Sequence, residues 1–417
     1  MAPFSQEEPM PLRYRILAVI WFFQITLNFD RVIISFSGPA IIKALALGPA
    51  SLGTILSGFA FGYMVGQIPG GILADRWRIK ALLIVLPILW GLFTGITAFA
   101  SSVAGFVLCR ACLGFAEGVA VPACFRVIGD AFEAKGRTGA MALSSTAGAL
   151  GPALAGPIIG VVIAGYGWKA AFYTLAIPPL VAALLIFLVL PAGRNAHMHA
   201  ELAKVSNVAP KTGLTSILRS SVLWVTALSY FSFNVGYWGY NGWMPTYLAT
   251  VHHLDIKHLG FIGAVPYLMA FAGLLSFGWI GVVAERMRVQ ILAINYLAAG
   301  IALFCAFGSG DLFGSMIGLC FASFFLSGGI PLFGALLYDL APRNGSGRYS
   351  GIVFTAGQIG GVVAPFAIGH LVQSTGNFAA GFALMEAALV AGGLGIFMIP
   401  FLRTRSRSTA ASTSPTL

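Results

Sequence analysis

Leu27-Asn28-Phe29-Asp30-Arg31-Val32 places two full charges side by side inside an apolar run that extends from Ile16 to Ile34. An ionised side chain in the middle of a bilayer costs roughly 2.5–3.5 kcal/mol on insertion scales, so where one is kept it marks a pathway or a binding site. The first functional expectation therefore falls on Asp30 and Arg31. The surroundings decide whether that run is a membrane span. The chain has 417 residues, 58% of them hydrophobic and 9% charged, and a mean hydropathy of +0.89. A soluble domain carries roughly 25% charged residues. Composition thus predicts an integral membrane protein with lipid as a partner.

A helix needs about 20 apolar residues to cross, and twelve runs qualify. They lie near 14–36, 50–73, 81–101, 104–126, 139–165, 169–191, 221–249, 258–284, 289–308, 312–339, 349–373 and 378–402. The net charge of +11 raises the question of nucleic acid, and the placement of the charges answers it. Of the 24 Lys and Arg, 18 fall on one side if the N-terminus is cytoplasmic, whereas only Lys43, Lys169 and Lys257 fall in loops on the other. The positive-inside rule then puts both termini in the cytoplasm. The basic excess is topology, and no nucleic-acid partner is expected. Glu7 and Glu8 ahead of Arg13 do not read as a cleavable signal peptide. All five cysteines lie within the runs without metal-ligand spacing, so neither a disulfide framework nor a metal or other cofactor is expected.

Internal spacing divides the chain in two. Gly71-xxx-Asp75-Arg76 recurs as Gly281-xxx-Glu285-Arg286, an offset of 210, and Asp130 and Asp339, Gly136-Arg137 and Gly347-Arg348, and Pro152 and Pro365 repeat at 209 to 213. The expected fold is all-α, with twelve transmembrane helices in two pseudo-symmetric six-helix bundles. Their bounds are 1–191 and 221–402, joined by a cytoplasmic linker over 192–220 and followed by a disordered tail over 403–417.

Two segments carry a resemblance. Gly71-Ile-Leu-Ala-Asp75-Arg76-Trp-Arg-Ile-Lys80 resembles the loop 2–3 signature of the major facilitator superfamily, and Arg110-Ala-Cys-Leu-Gly114-Phe-Ala-Glu117-Gly118 resembles its fourth-span motif. Within it, Asn28-Phe-Asp30-Arg31, Glu117-Gly-Val-Ala-Val-Pro122, Arg126 and Trp243-Met-Pro-Thr-Tyr247-Leu resemble the anion:cation symporter family. The resemblance implies a monomeric bacterial inner-membrane carrier of a small organic anion, often moved with protons. It also implies that Arg31 binds substrate while Asp30 and Glu117 couple protons.

Helix geometry places the charges independently. At 100° per residue Gln24, Asn28, Arg31 and Ser35 form one stripe, and Asp30 points about 100° away. Arg31 is expected to face a cavity and Asp30 a neighbouring helix. Arg110 and Glu117, seven apart, share a face of the fourth span and are the expected partners, so that two carboxylates balance two guanidiniums. One reading is a static brace between helices. The other is proton coupling: a carboxylate that takes a proton frees a guanidinium for an anion.

The remaining candidates line the expected pocket or its gate. Asn234, Tyr237, Trp238 and Asn241 recur at i, i+3, i+4 and i+7 in the seventh span. Tyr63 and Gln67 share a face of the second, and Gln358 lies in the eleventh. Trp243 and Tyr247 lie further out, where an interfacial aromatic belt is an equal or better reading than a cavity wall. Asp75, Arg76, Glu285 and Arg286 are expected at the cytoplasmic gate. Arg126 reads as an anchor near the cytoplasmic end, and Glu386 has no charged partner in view. Sugar-acid members often carry glutamine where Gly148 falls, so its absence points to a less hydroxylated anion such as a short or aromatic carboxylate. The Gly151-Pro152 run keeps open an organic-anion exchanger or a proton-coupled drug exporter on the same fold. No catalytic triad, metal cluster or phosphate loop supports an enzyme.

Overall fold

The computed structural model describes residues 11–191, 214–342 and 345–412. Among the described residues the regular structure is helical, as a bilayer demands: no water is present there to satisfy an open backbone. The first half contains α1 (Leu12–Leu45), α2 (Pro49–Arg76), α3 (Ile79–Thr97), α4 (Val103–Ala131), α5 (Ala134–Ser145), α6 (Ala147–Tyr166), α7 (Trp168–Leu175) and α8 (Ile177–Val189). A short α9 (Leu214–Leu218) precedes the second half. That half contains α10 (Ser221–Val251), α11 (Ile256–Ile262), α12 (Val265–Val283), α13 (Arg288–Gly308), α14 (Leu312–Leu340), α15 (Ser346–Thr375) and α16 (Ala379–Ser412). Side-chain caps close several starts: Ser102 accepts from Gly105 N at 3.2 Å and Asp311 from Gly314 N at 3.0 Å.

Ten helical segments are long and apolar enough to cross a membrane. The expected count is twelve, and α2 and α10 have the length, 28 and 31 residues, but are not among the ten. Both place polar and aromatic side chains toward the interior, which lowers their apolar content. The helix α16 runs on to Ser412, beyond the expected bundle boundary at 402. Most of the expected linker, 192–213, and the last five residues lie outside the described residues.

Packing falls into two groups, α1 to α8 and α10 to α16, and each is held by close helix approach. In the first, α2 lies so tightly on α4 that a Cβ at Gly62 would sit 1.9 Å from the Ala111 carbonyl oxygen. Between the groups, α2 meets α15 and α6 meets α11 and α12. A Cβ at Gly53 would lie 3.1 Å from Gly369 Cα, and one at Gly260 would lie 2.9 Å from Gly160 Cα. Two bonds cross the same seam: Ala50 N donates to Gln373 Oε1 at 3.0 Å and Ser57 Oγ to Val362 O at 2.7 Å. These contacts all lie toward the end where α1 finishes and α2 begins. The halves are sealed together there, and a cavity lies behind the seal.

Candidate functional site

The cavity, of about 60 Å³, sits between the halves. From the first half it is lined by Asn28, Arg31, Ser35, Phe59 and Arg110, and from the second by Tyr237, Trp238, Asn241, Tyr267, Ser323 and Ser327. The predicted stripe on α1 therefore faces it: Asn28, Arg31 and Ser35 line the space. Gln24, one turn earlier, bonds Ser144 on α5 instead.

Arg31 is held on three sides. Its Nε donates to Glu117 Oε2 on α4 at 3.1 Å, and its guanidinium lies 4.8 Å from the ring centre of Tyr63 and 5.8 Å from that of Phe59. Glu117 is fully buried, whereas the Arg31 side chain keeps 23% exposure. A guanidinium has five N–H donors. With Nε engaged by Glu117 and a further donor shared with the Tyr63 hydroxyl, the remaining N–H donors face the cavity, where an anion can meet them. The faces of Tyr63 and Phe59 add cation–π attraction.

Asp30 turns away from the cavity, as its helical phase predicts, and is completely buried. Its Oδ1 accepts from Thr94 Oγ1 on α3 at 2.6 Å, and its Oδ2 has no hydrogen-bond partner. Arg110 does not pair with this carboxylate. Its Nη1 donates to the main-chain oxygen of Asp30 at 2.8 Å, its guanidinium stacks 4.8 Å from Phe59, and its Nε is unpartnered. The expected two ion pairs thus become one, Arg31 with Glu117, plus a guanidinium that ties α4 to the backbone of α1. An arginine can satisfy itself on a carbonyl, and the close α1–α4 approach offers that carbonyl first.

A model of the family described as Major Facilitator Superfamily matches residues 20–280. The chain belongs to that superfamily. It is therefore a multi-pass membrane transporter and not an enzyme. Among curated relatives, the hexuronate transporter of Bacillus subtilis is 26% identical over 384 residues, covering 88% of each chain. The probable sulfoacetate transporter SauU of Cupriavidus necator is 28% identical, covering 94% of this chain and 95% of that one. The fold is similar to the inward-facing, unoccupied crystal structure of a bacterial homologue of the human lysosomal transporter Spinster. The TM-score is 0.72 at 17% identity, over 98% of this chain and 100% of the other.

Within this facilitator the other candidates divide. Tyr237, Trp238 and Asn241 line the cavity and Tyr63 backs Arg31, whereas Gln67, Asn234 and Gln358 are not among the lining residues. Asn234 instead packs on α15, where a Cβ at Gly357 would meet its Nδ2 at 2.8 Å, and Gln358 is buried with its Oε1 unpartnered. Gly148 lines the space with no atom within 4 Å of a would-be Cβ. Gly151 serves packing: a Cβ there would lie 2.6 Å from that of Asn28.

One expectation needs correction. Trp243 and Tyr247 are not a lipid-facing belt: each is 1% exposed, Trp243 Nε1 donates to Pro365 O at 3.1 Å, and the Tyr247 hydroxyl lies 3.2 Å from Ser315 Oγ. Their polar tips find partners inside the second half, so no interface is needed to satisfy them. At the expected gate, Glu285 and Arg286 are exposed and make no ion pair among the described residues. Arg288 reaches Asp339 instead and donates to Gly281 O at 3.0 Å. The side chains of Asp75 and Arg76 lie outside the described residues. Arg126 is 4.0 Å from Asp130 one turn on, as suits an anchor. Thr94 and Ser144 were missed, because a hydroxyl in an apolar run carries no signal of its own. Among the described residues no cluster of three or more His, Cys, Asp or Glu is placed to hold a metal.

Proposed function

We propose that the chain is a proton-coupled symporter that imports a small organic anion by alternating access. The substrate class is a sugar acid or a short or aromatic carboxylate. The observation that carries this reading is the arrangement of Arg31: one nitrogen on the buried Glu117, the remaining donors on the cavity. The relatives' names point the same way, since hexuronate and sulfoacetate each present an oxyanion that a guanidinium binds through two oxygens.

The charge balance supplies the coupling. When Glu117 or Asp30 takes a proton, the cluster gains one positive charge, and an anion on Arg31 cancels it. Proton and anion are then favoured together, and each is costly alone in a low-dielectric site. With the basic loops and both termini on the cytoplasmic side of a bacterial inner membrane, the sealed face is the external one. The halves 1–191 and 221–402 would rock about the cavity to open it, the protein acting as a monomer.

Uptake of radiolabelled glucuronate, gluconate, sulfoacetate and benzoate into proteoliposomes, with and without an inward proton gradient, tests this. Wild-type uptake is expected to rise with the gradient. Arg31→Ala is expected to lose about 100-fold, the worth of a charge-assisted contact, and Asp30→Asn to lose the stimulation. Gradient-independent exchange, or wild-type behaviour of Arg31→Ala, would overturn the symport reading.

A further inference from the structure

The hydroxyl of Thr94 is used differently from those of several other helical threonines among the described residues. A threonine in a helix ordinarily donates to the carbonyl one turn back. Thr54, Thr97, Thr226 and Thr355 do so, to Ala50, Phe93, Val222 and Gly351, at 2.7–2.8 Å. Thr94, 1% exposed on α3, instead donates to Asp30 Oδ1 at 2.6 Å. A hydroxyl has one proton to give. Donation to the carboxylate and donation to the Trp90 carbonyl, one turn back, therefore exclude each other.

The surroundings leave Asp30 few other ways to be satisfied. Arg110 on α4 bonds its main-chain oxygen, and Glu117, also on α4, is engaged with Arg31. Tyr63 on α2 and Tyr237 on α10 lie beyond Arg31, which stands next to Asp30 on α1. The helices α5, α7 and α11 carry their charged groups near their ends, Arg137, Lys169 and Lys257, and α6 and α8 have none. Thr94 is thus the side chain that hydrogen-bonds the carboxylate, and Oδ2 is the open oxygen on which a proton can reside. A buried acceptor without a partner is costly, and a proton on Oδ2 removes that charge.

We propose that Thr94 is the positioning residue of the Asp30 proton site. Its hydroxyl donates to Oδ1 while the carboxylate is ionised, and turns to the Trp90 carbonyl once Oδ2 is protonated. Its consequence for transport rests on the proton-coupling reading given above; its effect on Asp30 does not.

The test is infrared difference spectroscopy of the full-length protein in lipid nanodiscs, following the C=O stretch of a protonated carboxyl against pH. The component missing in Asp30→Asn is assigned to Asp30. In Thr94→Val, which keeps the shape and removes the donor, that band is expected to persist to a pH about one unit higher, ten-fold in proton concentration. Thr94→Ser should return it to the wild-type position, and equal thermal unfolding of the variants would show that they fold alike. A Thr94→Val titration that coincides with wild type, or an Asp30 carboxyl that never titrates, would overturn the assignment. A shifted band with glucuronate and sulfoacetate uptake still stimulated by the gradient in Asp30→Asn would uphold Thr94 and reject coupling through Asp30.

Discussion

At an offset of 210 residues, the one that carries Gly71 onto Gly281, the positions of Asp30, Arg31, Arg110 and Glu117 fall on Tyr240, Asn241, Cys320 and Ser327. Four charges are answered by four neutral side chains. The geometry is echoed nonetheless. Arg110 reaches from α4 to a carbonyl of α1 at 2.8 Å, and Tyr240 reaches from α10 to the Leu319 carbonyl of α14 at 2.9 Å. Each half thus ties its first long helix to its fourth through a side chain bonded to main chain. Arg31 and Asn241 both line the cavity, as does Ser327, the counterpart of Glu117. The lesson is that the repeat dictates how helices pack, while the charge that binds and couples needs to be installed only once. A second guanidinium on the facing wall would require a second buried carboxylate, and each buried ion costs several kcal/mol before pairing.

The sharpest break in this comparison comes from Glu117. Glu117→Gln keeps the shape and removes the charge that holds Arg31. Removing one member of a buried pair typically costs 3–5 kcal/mol, so a loss of gradient-driven uptake of about 100-fold or more is expected, together with a lowered thermal midpoint. Retained coupling in this variant would mean that the ion pair is a brace and nothing more. On the opposite wall the matching change is Asn241→Ala. Its amide already donates to Tyr237 O at 2.7 Å, so it offers the cavity only a neutral contact. One neutral hydrogen bond is worth about 1 kcal/mol. The apparent affinity in uptake should therefore fall about five-fold with the gradient response intact. A loss as large as that of Glu117→Gln would erase the asymmetry.

Much of this was legible in residues alone, and the reasons for the rest are physical. Asp30, Arg31, Arg110 and Glu117 announce themselves because charge in an apolar run is rare, and the helical phase of α1 separates a cavity-facing Arg31 from a protein-facing Asp30. A count of charges does not reveal whether an arginine spends itself on a carboxylate or a carbonyl, and Arg110 chose the carbonyl. Hydropathy likewise does not distinguish a lipid face from an interior one. Trp243 and Tyr247 were therefore read outward, while the buried polar faces of α2 and α10 made two span-length helices look less apolar than the rest. Thr94 was invisible because its role depends on which helix α3 lies against.

The smallest effect is expected at Glu386, an acid within the last span of the second half. It lies two turns into α16, is half-buried, and makes no hydrogen bond or ion pair among the described residues. It is not among the residues that line the cavity. Its backbone faces α13, where a Cβ at Gly300 would be 3.7 Å from its carbonyl oxygen, so its place in the structure is that of a packing residue. Substitutions away from cores and networks usually change free energy by no more than about 0.5 kcal/mol. Glu386→Gln should therefore leave uptake of the transported anion within about two-fold of wild type, with the same dependence on the proton gradient. A ten-fold loss, or a displaced pH profile, would place a second proton-binding acid in the half that otherwise meets the cavity with neutral groups. The division of labour between the halves would then have to be redrawn with proton-binding acids in both.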